Sequence, residues 1–230
     1  MNRADSGKTG RQRTQHTLDR GRFYWLGGSP CSGKSTIAEM LGAQYGLQIY
    51  HCDDFFFADM RAADPHRQPR LHKIARMSWD EILSRPVPEQ LADVLQIYRE
   101  GFPLMMRDLV RRQEEAPPEI QFLVEGAALF PELITPLLPE PRRAIFLVPM
   151  PAFQRRVYAR REWRHALLAE CRDPEQAWEN WMERDVQFGR WMRARAHARG
   201  LAVLTVDGAK SVEENAVRVQ RHFQLPAAEG

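Results

Sequence analysis

Gly28-Ser29-Pro30-Cys31-Ser32-Gly33-Lys34-Ser35 has the spacing G-x-x-x-x-G-K-[ST], in which backbone N–H groups wrap an anion. Each fixed position has a chemical task. The glycines let the backbone curl, Lys34 has the reach for β- and γ-phosphates, and the Ser35 hydroxyl is of the type that ligates Mg²⁺. Gly28 to Ser35, with Thr36 just beyond, is therefore the expected site for ATP or GTP with Mg²⁺. A plain Gly/Ser turn is the alternative.

Three carboxylates form a second candidate set. Asp53 and Asp54 follow an apolar run, Leu47 to Cys52, and Glu125 follows another, Ile120 to Val124. Residues just beyond parallel strands gather at one sheet edge, so these acids should lie near the phosphate loop although far from it in sequence. One of Asp53, Asp54 and Glu125 could hold a metal with Ser35 while another takes the proton of an attacking hydroxyl. Capping of a helix by Asp53 and Asp54, and a turn role for Glu125 before Gly126, remain open. His51-Cys52-Asp53 lacks a second ligand pair at zinc spacing.

Arginines form a third. Arg155 to Arg164 holds five of them, and one helix over Ala152 to Leu168 would stack Arg156, Arg160 and Arg164 at i, i+4. Like charges at that spacing cost roughly 0.2–0.5 kcal/mol per pair, so an anionic partner explains their placement, while a solvated face is the alternative. Trp178, Trp181, Phe188 and Trp191 have the spacing of a core stripe.

The elements that must position these groups alternate. Strand-type runs lie at Arg22 to Leu26, Leu47 to Cys52, Ile120 to Val124, Ala144 to Val148 and Leu201 to Val206. Helical patterns fall at Thr36 to Tyr45, Glu89 to Arg112, Ala152 to Leu168, Pro174 to Arg199 and Ser211 to Phe223. The expectation is an α/β fold: a parallel five-stranded sheet with helices on both faces and a ligand at the strands' carboxyl ends. Residues 1–21 are expected as a disordered tail, 22–224 as one domain with an insertion at about 55–115 and an arginine lid at about 152–172, and 225–230 as a C-terminal tail.

Composition narrows the class. The chain has 230 residues, 33 basic and 30 acidic, for a net charge of +3, which does not point to a nucleic-acid binder. No run approaches a membrane span, the N-terminal residues lack the apolar core of a signal peptide, and three cysteines do not suit a disulfide framework. These features lead us to expect a cytoplasmic protein, monomer or homodimer, without membrane or nucleic-acid partners.

The phosphate loop, Asp53-Asp54-Phe55-Phe56, Val124-Glu125-Gly126 and the arginine segment, in this order, resemble the small P-loop kinases of nucleoside-monophosphate-kinase-like fold. The uridine kinase and phosphoribulokinase branch is the nearest in motif. Shikimate kinases, gluconate kinases and chloramphenicol phosphotransferases are similar in layout, as are bacterial proteins described only as ATPase-like. The resemblance implies a catalytic base at Asp53, a metal-assisting Glu125, and lid arginines at Arg156, Arg160 and Arg161. Glu162 stands where the lid pattern usually has Asp.

Three function classes follow. The first is a kinase moving the γ-phosphate of ATP to a hydroxyl or phosphate of a small acceptor, anionic or neutral. The second is a nucleotide-dependent switch acting on a protein partner, although the guanine-reading Asn-Lys-x-Asp is absent. A polynucleotide 5′-kinase, which needs a deep basic groove, is the third.

Overall fold

A computed structural model describes residues 17–59 and 62–226. Five strands form one parallel sheet: β1 (Phe23–Gly28), β2 (Gln48–His51), β3 (Phe122–Gly126), β4 (Ala144–Pro149) and β5 (Ala202–Val206), in the order β2-β3-β1-β4-β5. This is the expected α/β architecture. Strand period 2 explains how β1 is covered on both sides. Phe23 and Trp25 enter a core on one face, while Tyr24 and Leu26 enter a separate core on the other.

The second core is closed by α1 (Lys34–Tyr45) and, late in the chain, by a helix at Val212–Phe223. The first is closed by a long helix at Val87–Glu115, through Met105 and Leu109, and by one at Pro174–His197, through Phe188 and Met192. Fully burying side chains of this size contributes roughly 1.5–3 kcal/mol each.

Between these layers the order of helices is α2 (Cys52–Asp59), α3 (Pro69–Ile74), α4 (Trp79–Leu83), α5 (Val87–Glu115), α6 (Pro131–Ile134), α7 (Pro151–Ala159), α8 (Trp163–Ala169), α9 (Pro174–His197) and α10 (Val212–Phe223). A third cluster, with Cys31, Leu83, Tyr158, Leu168 and Trp181, ties α4, α7, α8 and α9 to the phosphate loop.

Three boundaries differ from expectation. The helix expected over Ala152 to Leu168 is two helices, broken at Arg160 to Glu162, so Arg156, Arg160 and Arg164 do not form one stacked row. The break is anchored from outside: Tyr158 and Leu168 both insert into the third cluster, which turns the chain. Residues 1–16 of the expected N-terminal tail lie outside the described residues, but 17–21 are tied down. Asp19 N–H donates to Gln113 Oε1 at 2.6 Å, and the Gln113 amide donates to the Thr17 carbonyl at 3.3 Å. At the other end, Gln220 donates to the carbonyls of Leu225 and Pro226, and residues 227–230 lie outside the described residues.

Gly28 shows why the phosphate loop begins where it does. Its φ is +131°, and a Cβ there would sit 2.0 Å from the Leu147 carbonyl oxygen of β4. Gly28→Ala is therefore expected to destabilise the fold by about 2–4 kcal/mol, from strained backbone plus overpacking. A lowered urea midpoint at unchanged slope checks it; an unchanged midpoint contradicts it.

Candidate active site

The Gly-rich loop, the expected phosphate site, bridges β1 and α1. Gly33, at φ +82°, caps the helix, so Lys34 starts it and the first free N–H groups face the loop. Inside the loop, the Ser32 hydroxyl donates to the Ser29 carbonyl at 2.9 Å, and Ser29 N–H donates to the Leu147 carbonyl at 3.0 Å. Gln154 on α7 supports the loop from above, donating to the Pro30 carbonyl at 3.3 Å. Cys31 adopts φ +63°, and burial pushes its thiol up to about 11, which keeps it protonated at neutral pH.

Lys34 is buried, and its ammonium donates to the Ser29 carbonyl at 2.8 Å and the Ser32 hydroxyl at 3.4 Å. Burial pushes its pKa below the ordinary lysine value, opposed by the nearby carboxylates of Glu125 and Asp53. That opposition places Asp53, Glu125 and the loop lysine in one electrostatic neighbourhood.

Glu125 is the hub of that neighbourhood. Its Oε1 accepts from the Ser35 hydroxyl at 3.0 Å and lies 2.8 Å from His51 Nδ1. Register explains the second contact: His51 is the Cα partner of Glu125 on β2 and β3, and aligned residues on parallel neighbours share a face. Next to Glu125, Gly126 leaves room for Cys52, whose Cβ would lie 2.5 Å from a Cβ at 126. Cys52 starts α2, and further along that helix Phe56 lies over Gly101 of α5, where an added Cβ would approach its ring to 2.2 Å. Those two close approaches fix the helix that carries Asp53.

Asp53 is solvent-exposed, although protein atoms crowd around its carboxylate. Burial raises its pKa above the usual carboxylate range, Lys34 opposes the rise, and Glu125 and Asp54 add to it. Two adjoining cavities, of about 670 and 540 Å³, both have Asp53 in their walls, together with Trp79, Val94, Tyr98 and Arg184. The smaller includes Pro30 of the phosphate loop; the larger extends beneath α3, α4 and α5. Asp54 is exposed like Asp53 but lines neither cavity.

The arginines divide. Arg161, after the break in the lid helices, lines the smaller cavity with Trp163, its guanidinium 5.6 Å from that ring and 5.4 Å from Tyr158. Arg156 is turned toward the loop after β5, over Phe153 and 3.5 Å from the Asp207 carbonyl, and Arg160 is exposed. Neither lines a cavity.

Sequence reasoning missed Arg184, Asp185, Tyr158 and the role of His51. Arg184 donates to Asp185 Oδ1 through Nε at 2.9 Å, and the Tyr158 hydroxyl donates to Oδ2 at 2.8 Å. Both Arg184 and Asp185 lie in the wall of the smaller cavity. The signal was an adjacent Arg-Asp pair inside the aromatic stripe of α9, which by spacing alone marks only a core face. Trp181 and Phe188 of that stripe are buried as expected, and both also border the smaller cavity.

No family model matches the chain, and no curated protein does. Among solved structures, it is similar to an uncharacterized protein from Eubacterium ventriosum, with 12% identity, a TM-score of 0.41, and 88% of this chain and 97% of the other covered. It is also similar to a protein from Chloroflexus aurantiacus described as a "putative kinase", with 15% identity, a TM-score of 0.40, and 87% and 98% covered. Among the described residues, no helix is long and apolar enough to cross a membrane.

Proposed function

We propose that the protein is an ATP-dependent phosphotransferase acting on a hydroxyl or phosphate of a small molecule. One observation carries this reading: Asp53 lines two adjoining cavities, one reaching Pro30 of the Gly-rich loop and the other large enough for an acceptor. A switch acting on a protein partner needs no such second chamber, and a polynucleotide kinase needs a long basic groove rather than a mixed, largely apolar one.

In this reading the loop amides and Lys34 bind the β- and γ-phosphates. Oxygen donors suit Mg²⁺, and Ser35 with Glu125 would hold it, with Asp54, which lines neither cavity, set aside. When bound, that ion neutralises charge on the transferring phosphoryl group. Asp53, with its raised pKa, accepts the proton of the acceptor hydroxyl. Arg161 meets charge developing on the phosphoryl oxygens.

The test is a screen of small hydroxyl and phosphate compounds with purified protein, reading ADP release against an acceptor-free control. Acceptor-dependent release is expected, and Arg161→Ala is expected to lower it by roughly a hundredfold, with Arg160→Ala within about twofold of wild type. ADP release indifferent to every acceptor but stimulated by a protein partner would select the switch. Equal losses in the two arginine variants would remove Arg161 from its assigned role.

A further inference from the structure

Two buried opposite charges at the Gly-rich loop do not pair. Lys34 is 7% exposed and Glu125 3%. Burial lowers the pKa of the lysine, and Glu125 is the carboxylate that opposes this most, so the two share a field. Yet among the described residues no hydrogen bond or ion pair joins them. The Lys34 ammonium donates to the Ser29 carbonyl and the Ser32 hydroxyl, while Glu125 Oε1 accepts from Ser35 and His51. Direct pairing is the usual way to satisfy two buried charges. Here it would take the lysine away from a phosphate and the carboxylate away from a metal at once.

The two bonds that hold Glu125 differ in kind. A serine hydroxyl turns freely about its C–O bond, and Ser35, exposed in the first turn of α1, is itself a candidate ligand of the ion. His51 is held by the sheet. It is the Cα partner of Glu125, on the same face of the neighbouring strand, and its Nδ1 stands 2.8 Å from Oε1. An ionised carboxylate only accepts hydrogen bonds, so Nδ1 carries the proton and donates. Because the strand ladder sets the spacing of these side chains, the bond does not wait on a ligand. Oε2, the other oxygen of Glu125, accepts from none of the described residues and is not sealed from solvent.

We propose that His51 is a positioning residue: its Nδ1–H holds the Glu125 carboxylate beside Ser35 and off the Lys34 ammonium, leaving the carboxylate for the metal and the lysine for the phosphates. This inference rests on the reading of Ser35 and Glu125 as the metal-holding pair, and not on phosphoryl transfer itself.

The test is calorimetry of ATP binding, with Mg²⁺ and with EDTA, on wild type, His51→Asn and His51→Leu. The ratio of the two affinities isolates the metal-dependent gain, which a merely structural role for His51 would leave alone. Asparagine places an amide N–H near the position of Nδ1, and leucine places no donor there. His51→Leu is expected to reduce the gain by about tenfold, and His51→Asn to keep it within about threefold of wild type. In a Glu125→Gln background, His51→Leu is expected to cost nothing further, because the ring acts through that carboxylate. If His51→Leu fails to fold, His51→Gln, whose amide stands nearer the position of Nε2, replaces it with the same expectation. A wild-type gain that His51→Leu leaves unchanged, or that His51→Asn loses as fully, overturns the proposal alone, as does an added loss in the Glu125→Gln background. A wild type without any Mg²⁺-dependent gain overturns the metal-holding pair and the proposal with it.

Discussion

Lys34→Ala is expected to lower acceptor-dependent turnover on the order of a thousandfold, equivalent to about 4 kcal/mol of transition-state stabilisation. The reason is the place of its ammonium: buried, held by the Ser29 carbonyl and the Ser32 hydroxyl, and sharing a field with Asp53 and Glu125. A fixed charge in a site with little water stabilises charge on a phosphoryl group without reorganising at the moment of reaction. Stability should not follow activity. The folded-state pKa of Lys34 is depressed, so keeping it charged costs the fold free energy at every pH below that pKa, and removing it relieves this cost while forfeiting two hydrogen bonds. The melting temperature is therefore expected to stay within a few degrees of wild type. Turnover at half the wild-type level or above would remove the loop from the mechanism.

Asp53→Asn is expected to abolish acceptor-dependent transfer, by a factor of about a hundred to ten thousand, while ATP affinity survives. Asparagine keeps the size but cannot take a proton. Asp54→Asn is the control: that residue is exposed and borders neither cavity, so its transfer rate should stay within about threefold of wild type. The raised pKa of Asp53 adds a second readout. A base must be deprotonated to act, so the acid limb of kcat/KM should fall above the usual carboxylate range. Linkage gives the matching stability sign. A carboxyl whose folded pKa is raised is a penalty that is absent below the unfolded pKa, grows as pH rises from there to the folded pKa, and is complete above it. Asp53→Asn should therefore melt slightly higher than wild type at pH 7, with the gap closing toward pH 3.5. An active Asp53→Asn with a dead Asp54→Asn would move the base by one residue; two active variants would leave Glu125 as the base.

The strands, their parallel arrangement and the Gly-rich loop between β1 and α1 were legible in the sequence because each is set by local pattern. Apolar runs closed by Gly or Pro mark buried strands, and Gly28, Gly33, Lys34 and Ser35 occupy positions fixed by backbone geometry. The edge to which Asp53 and Glu125 belong followed from the same alternation, since parallel strands bring their ends together. What the sequence could not decide is which side chain at that edge faces which chamber. Asp53 and Asp54 are equivalent in pattern, and only the packing of Cys52 on Gly126 and of Phe56 on Gly101 turns α2 so that Asp53 lines the cavities. The arginine row was misjudged for a related reason: a helical period says nothing about the tertiary anchors Tyr158 and Leu168, which break the helix and deliver Arg161 alone to the cavity. His51 and Tyr158 carry no motif, because their meaning lies in the partners they hold, Glu125 across β2 and β3 and Asp185 across α7 and α9, and contacts between segments distant in sequence leave no local trace.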